Sequence, residues 1–552
     1  MPMPEGRPSF SLYWRKYLTF FGQLKTAIIL LSIFALALIT GTFVESYHGT
    51  DFANRLIYKS LPFMLLQFLL FQSILAALFL RLPLRKKLAG FYIVHLGLIL
   101  LWAGSFITYT SGIDGSMTLT PKNPGRILSL PKDTLVLSWP HEKRSESLEL
   151  PYVTFKTTMQ QETHGIKILE FYPFAQLKQQ WVPFVSEGKK SFHSSQYQLK
   201  NDRFAQEMTL SLHPDSIEDF PSSLTLGPLN VHYLPQELSQ CFARLAQEPS
   251  QKLLLWNMEE QNCQLLGDFK IKMQRTKEGK NFFVLNRGGR QVTFFPDFSP
   301  YPLDKNFQVV TDFPLRPLNV SLFEGPPHLF LFGDKAAFYS KVDQHWHLVD
   351  VDKKKPTPLP WMGFTLTLLE HSLTYRPQVF PIYTLPLQEN GQMVEGNLKA
   401  VKIQYGEKVV WVTSQRPQML ETPQGPLQIE IKNQEFHLPF ELSLDRFHME
   451  KDPGTQTPAS FESYITLFHE TGSEDHHVYM NHPLIFKGMT FYQASYFPLE
   501  EDQGGGYGSV LSANIDPGRN IKYLGSLFLV LGAILYYVMN KDRFHGKPHP
   551  HD

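Results

Sequence analysis

Cysteine is nearly absent from this chain: Cys241 and Cys263 are the only two in 552 residues. No Cys-x-x-Cys exists for thiol exchange of the thioredoxin kind, and no Cys-x-x-Cys-His exists to attach a haem covalently, so the chain is not itself a c-type cytochrome. A His-Glu-x-x-His zinc helix, a Gly-x-Ser-x-Gly elbow and a phosphate loop ending in Gly-Lys-Ser/Thr are missing too, and no independent catalytic constellation is visible. A conventional hydrolase is unsupported. Charge of one sign is equally scarce: 52 basic residues stand against 51 acidic ones, which argues against a nucleic-acid partner.

Long apolar runs are few, but they decide the class. Four segments, at about 26–44, 61–80, 88–109 and 523–539, carry almost no charge and approach the roughly 20 residues that cross a bilayer core. They predict four transmembrane helices. Arg7, Arg15, Lys16 and Lys25 precede the first run, Arg81, Arg85, Lys86 and Lys87 crowd the second connection, and Lys541, Arg543 and Lys547 follow the last run. The positive-inside rule then places both termini on the cytoplasmic side of an inner membrane and everything between Thr110 and Lys522 outside. The first run lacks a small-x-small cleavage site and reads as a retained anchor. Before it, Leu12, Trp14, Tyr17, Leu18, Phe20 and Phe21 interleave with Arg15 and Lys16, which suits a short helix in the inner interface.

The fold class is therefore four α-helical membrane segments plus a large extracytoplasmic, predominantly β, sandwich-like domain, organised as a membrane region 1–109, a β-rich domain 110–520 and a terminal helix with its tail 521–552. Between Thr110 and Lys522, alternating runs such as FTLTLLEHSL, AVKIQYGEKVVWVT and LQIEIKNQEFHLPFELSL recur among Gly, Pro and Asn. The best helical period lies at Pro235–Gln247. Length favours two β-subdomains, with a break at Lys353–Pro360. A Leu-Pro-aromatic step at Leu150, Leu359 and Leu438 reads as a strand opening and a weak internal repeat. Gly504–Gly506 and Gly508 read as a tether to the last helix. An oxidising compartment would allow Cys241 and Cys263 to pair.

Histidines are the main candidates for chemistry. His345 and His347 alternate on one face of a probable strand, although His-x-His in a polar stretch reads first as a solvated face, and His476 and His477 read the same way. His545, His549 and His551 belong to a polar tail. His95 differs because it sits alone in the uncharged span Leu88–Tyr109, roughly 10 Å inside the cytoplasmic boundary at about 1.5 Å per residue. A titratable group at that depth needs a partner. Two readings stand open: an iron ligand walled by Leu96, Leu98, Ile99 and Trp102, or an imidazole packed against a neighbouring helix that Gly90, Gly97 and Gly104 let approach.

Three blocks resemble the ResB/CcsB family, the membrane subunit of system II cytochrome c maturation. They are Leu24–Leu31 with the exit Gly41-Thr42-Phe43-Val44-Glu45; His95-Leu96-Gly97 through Gly112–Ser116; and the most specific, Asn481-His482-Pro483-Leu484-Ile485-Phe486-Lys487-Gly488-Met489-Thr490-Phe491-Tyr492-Gln493-Ala494-Ser495-Tyr496. The family's usual Pro-Gln after the first exit is replaced by Glu45-Ser46, and Lys122 to about Pro358 carries no motif of the family. The resemblance implies a haem-handling complex: a ResC/CcsA-type membrane partner, an apocytochrome c, haem b in transit as cargo, and a thioredoxin-like thiol reductase nearby. It carries a haem-iron ligand onto His95 and leaves His482 as a structural histidine or a haem or cytochrome contact. The eight tryptophans are scattered, so the chain resembles the unfused subunit.

Overall fold

The computed structural model describes residues 10–544 except 122, 185–191, 248–252, 258–261, 267–273, 278–280, 288–289, 295–302, 305, 307, 309, 311–314, 318–325, 424, 455–457 and 500–505. His545, His549 and His551, with Gly504 and Gly505 of the glycine tether, fall outside the described residues. Two compact units emerge, Met1–Gln176 with Pro381–Asp552, and Leu177–Phe380.

The first unit holds helices α1 (Phe10–Phe21), α2 (Leu24–Ala53), α3 (Leu61–Phe79) and α4 (Ala89–Ser111). Four helical stretches are long and apolar enough to cross a membrane: Leu24–Tyr58, Leu61–Phe79, Lys86–Ser111 and Arg519–Asn540. The first outruns its expected end at Val44, because no proline or cap interrupts Glu45–His48. It turns only at Gly49, whose φ of 80° and ψ of 162° break the helix, and continues into a π-helical turn at Asn54–Tyr58. Ser60 then caps α3, accepting from the Phe63 amide at 3.4 Å with Pro62 in the first turn.

α4 passes through Gly112 into a ten-stranded antiparallel sheet. Its strands are β1 (Ile113–Leu119), β2 (Gly125–Trp139), β3 (Arg144–Glu149), β4 (Gln418–Thr422), β5 (Gly425–Lys451), β6 (Pro458–His469), β7 (Gly472–Val478), β8 (Leu484–Phe486), β9 (Met489–Pro498) and β10 (Tyr507–Ile515). The order is β7-β6-β5-β2-β1-β10-β9-β8, with β3 on β2 and β4 on β5. The two edge strands β7 and β8 are consecutive in the chain and joined across the bridge Tyr479↔His482. The sheet thus curls around one core that includes Met117, Leu128, Leu442, Ile465, Leu484, Phe491 and Leu511. A second core, with Leu135, Phe171, Ile403 and Ile429, packs the other ends of β2 and β5 against strands 157–163, 398–405 and 408–413.

None of the Leu-Pro-aromatic steps opens a strand. Leu150 and Leu359 lie in connections, and Leu438 lies inside β5. Pro439 is tolerated there because the β2–β5 register shifts between Gly125↔Leu442 and Ile127↔His437, a bulge that spares the missing donor.

The second unit, Leu177–Phe380, includes a five-stranded sheet ordered 345–350, 335–340, 328–331, 229–233, 223–226 and a four-stranded sheet ordered 357–358, 365–372, 194–200, 205–211. Tyr197, Leu210, Val231, Leu329, Phe338 and Leu366 from both sheets share one core. Lys353–Pro360 is therefore interior to this unit and no break, since Thr357 and Pro358 pair with Leu366 and Thr365. The expected helix forms as a 3₁₀ turn plus α5 (Ser239–Gln247). Cys241 on it is buried and disulfide-bonded.

Back in the first unit, the chain leaves β10 through Asp516 into α6 (Arg519–Phe544), which returns antiparallel beside α4.

Candidate functional site

A helix that buries backbone against backbone needs residues without side chains, and α4 and α6 supply them on the same period. Gly90, Gly97 and Gly104 on α4 and Gly518, Gly525 and Gly532 on α6 each recur every seven residues. A Cβ on Gly97 would lie 2.7 Å from Gly525 O and 2.7 Å from Leu529 N, one on Gly90 2.5 Å from Tyr536 N, and one on Gly532 2.6 Å from Val94 N. The seam is therefore backbone on backbone along its length. Its end is pinned by Asp516, which accepts from Thr108 Oγ1 and, at 2.7 Å, from Lys522 Nζ. Burial alone would push the Asp516 carboxyl up, but these bonds with the Lys522 and Arg519 charges hold it below the ordinary range. Lys522 is thus the ion-pair partner of Asp516.

His95 does not face that seam. It belongs to the stripe Phe91, His95, Trp102 and Phe106, spaced by four, seven and four residues along one side of α4. Trp102 stacks on Phe71 of α3 at 3.8 Å and on Phe106 at 5.3 Å. His95 is half-buried, its ring centroid 3.7 Å from that of Phe91. Its Nδ1 lies 2.9 Å from Phe91 O. A carbonyl only accepts, so Nδ1 carries the proton and Nε2 keeps its lone pair. Among the described residues no group hydrogen-bonds Nε2. The close-approach glycines and the histidine therefore serve different faces of α4. Of the expected wall, Leu98, Ile99 and Trp102 are half-buried, while Leu96 is 44% exposed.

Two neighbours of His95 were not singled out from the sequence. One is Phe91, whose i−4 spacing was the available signal. The other is Arg81, whose Cζ lies 4.4 Å from the Phe91 ring centroid on the opposite side of the connection from α3 to α4. Tyr92 OH donates to Arg81 O at 2.7 Å and accepts from the Arg85 amide at 3.3 Å, tying that connection to the first turn of α4.

The remaining histidines sit apart. His347 pairs with Asp343 at 2.7 Å on an exposed strand, as a solvated face. His477 Nε2 donates to the Glu462 carboxylate at 2.6 Å and joins a cross-strand ladder: Arg446 over Tyr464 at 4.2 Å, Tyr464 on His477 at 4.3 Å, His477 on Tyr479 at 4.5 Å and Tyr479 on His482 at 4.1 Å. Direct register pairs Arg446↔Tyr464 and Tyr464↔His477 build it. No group of three or more His, Cys, Asp or Glu able to hold a metal ion occurs among the described residues.

The Asn481–Tyr496 block is largely architectural. Phe491 is fully buried in the core. Gln493 accepts from Ser463 Oγ at 2.6 Å, and its amide donates to Ser509 Oγ at 3.1 Å, satisfying two buried serines. Thr490 accepts from Arg519 Nη1 at 3.0 Å at the root of α6.

A second polar site joins the helices to the sheet within this unit. Arg55, 1% exposed at its side chain, donates to Asp133 at 2.7 Å, to Asp51 at 2.9 Å and to Val153 O at 3.0 Å, and lies 4.5 Å from the Tyr152 ring. Lys399 also contacts Asp133. Burial, then the Asp51 charge, pushes Tyr152 up to about 12.

Comparison with known proteins meets this geometry in the sheet. A sequence profile of the ResB-like family matches residues 405–505, from the strand before β4 to the end of β9. The chain is 33% identical over 113 residues to protein NrfI of Wolinella succinogenes, a stretch that is 20% of this chain and 12% of that protein. It therefore spans about an eighth of the length of the curated relative it matches. The family profile encloses the Asn481–Tyr496 block, so it is this stretch of the chain that is similar to the ResB-like family.

Proposed function

We propose that this chain is the ResB-like subunit of a cytochrome c haem lyase, which holds haem within the membrane and assists its attachment to apocytochrome c on the outer face. The observation that carries the reading is His95: an imidazole in an apolar aromatic stripe, with Nδ1–H bonded to a backbone carbonyl and Nε2 unengaged. That arrangement fits an axial iron ligand, because the second-ring hydrogen bond fixes the tautomer and raises the basicity of the free nitrogen. Haem is cargo here, and Phe91, Leu98, Ile99 and Trp102 would offer its apolar plane a matching wall.

The reading includes an inner membrane, cytoplasmic termini, an extracytoplasmic β-region, and a ResC/CcsA-type partner supplying the second axial ligand. Haem content of the complex purified with that partner tests it. His95→Gly should lose the bound haem and the cytochrome c yield, and exogenous imidazole should restore part of both. Unchanged haem occupancy and yield would leave the chain a scaffold without haem ligands. A normal cytochrome c complement after deletion of the gene would reject the haem pathway altogether and leave a membrane-anchored receptor.

A further inference from the structure

The column Arg81–Phe91–His95 is ordered in a way that packing alone does not require. Arg81 is exposed at the end of α3, where an arginine needs only to reach water. Instead Nη1 donates to Ala77 O at 3.0 Å, and the guanidinium lies over the Phe91 ring, itself against the His95 imidazole. The two contacts orient the planar fork and leave its other donors open. The connection Arg81–Leu88 contains no acidic residue, and Arg81 makes no ion pair with a protein carboxylate among the described residues. A basic head, an apolar ring face and an unengaged imidazole nitrogen thus follow one another along the helix.

We infer that Arg81 binds a carboxylate of the cargo held at His95, acting as the specificity residue for a metalloporphyrin that carries acid side chains at its rim. The inference rests on the haem reading of His95. A porphyrin places its metal at the centre of an apolar plane and its propionates at one edge, so a site that ligates the metal within the apolar span must still solvate or pair those charges. A preoriented guanidinium at the membrane boundary does this with a bidentate, charge-assisted pair. Metal, plane and rim would be met in turn by His95, Phe91 and Arg81, with the acid edge directed to the end of α4 that bears Arg85, Lys86 and Lys87. A lipid headgroup phosphate offers the same fork an oxyanion, and the test separates the two.

The full-length chain in nanodiscs is titrated with ferric haem and, separately, with ferric haem dimethyl ester, which keeps the metal and plane and removes both charges. Affinity is read from the Soret band. Arg81→Gln should weaken free-acid haem by about ten- to a hundred-fold, the loss of one charged hydrogen-bonded pair, and leave the ester unchanged; Arg81→Lys should fall between. Equal weakening of acid and ester, or none of either, would overturn the proposal, the first marking a packing lesion and the second a headgroup contact. His95→Ala is judged by the Soret position rather than affinity. An unshifted band would refute ligation by His95 while the acid-versus-ester difference still judges Arg81.

Discussion

Replacing Gly97 by alanine tests the helix seam by the sign of its effect. In an ordinary helix interior the substitution gains about 1 kcal/mol from propensity. Here the new Cβ would sit 2.7 Å from both Gly525 O and Leu529 N, whereas non-bonded heavy atoms rest at about 3.5–4.0 Å. Both obstacles are backbone, so no rotamer change relieves them and the helices must part by about 1 Å, a gap that forfeits a quarter to a half of each contact along the seam. Overpacking of this kind costs about 1–3 kcal/mol, and a rigid obstacle places the loss in the upper half, near 2 kcal/mol net. The readout is unfolding in nanodiscs followed by tryptophan fluorescence, which Trp102 on α4 reports. Gly525→Ala should give the same loss, and the double variant less than the sum, because a seam already parted accommodates the second methyl. Ser105→Ala, on an exposed position of α4, is the control and should be neutral or better. If Gly97→Ala is as stable as Ser105→Ala, the backbone seam is refuted.

Three further outcomes follow from the polar sites. Arg55→Ala leaves Asp133, 3% exposed at its side chain, to Lys399 alone and should cost about 1.5–3 kcal/mol, the loss of a charged hydrogen-bonded pair, measured as earlier proteolysis of the β-region; an Arg55→Ala chain as resistant as the parent would contradict the account. Asp516→Asn should lose about 1.5–3 kcal/mol at neutral pH; because the folded carboxyl titrates below its ordinary value, the stabilisation is lost as pH falls through that lower value, so parent and variant should converge in acid. His193, 2% exposed and hydrogen-bonded to Tyr233 OH at 2.5 Å, is held down to about 4 by burial first and by His371 second. Between its ordinary value and about 4 the unfolded chain takes a proton that the folded one refuses, so stability should fall with pH by about 3 kcal/mol at most; a His193→Asn chain with the same pH slope as the parent would refute this.

The spans were legible because about 20 uncharged residues in a row have few other uses, and the β-region because alternation at period two survives in strands such as Leu398–Tyr405 and β5. The continuation of α2 to Ala53 was not, since Glu45–His48 are neither apolar nor helix-breaking and only the kink at Gly49 ends the straight run. Leu-Pro-aromatic misled for a related reason: proline at a strand start and proline at a bulge look alike until the partner register is known. At the site, spacing disclosed His95 but not its company. Gly90, Gly97 and Gly104 suggested a close helix, yet the same seven-residue period in Gly518, Gly525 and Gly532 lies more than 400 residues away and signals a partner only when the two series are set side by side. Arg81 resembled its basic neighbours, since orientation over a ring leaves no trace in composition. Arg55 carries no local signal of its role, because its partner Asp133 comes 78 residues later.

These contacts also connect the ResB-like stretch to the helix that bears His95. The profile matches strands, and no residue of α4 lies within 405–505. Yet Thr490 of the signature block holds Arg519 at the root of α6, and β1 pairs with β10 in unbroken register from Ile113↔Ile515 to Leu119↔Ser509. α4 and α6 grow from the ends of that strand pair, and Asp516 and the glycine seam lock them together below it. Strand pair and helix pair form one antiparallel stem, in which a shift of the signature block is resisted by backbone hydrogen bonds above and backbone contact below. Interiors packed this closely transmit displacement rather than absorb it. A displacement of the sheet is therefore carried through this stem to α4, the helix that bears His95.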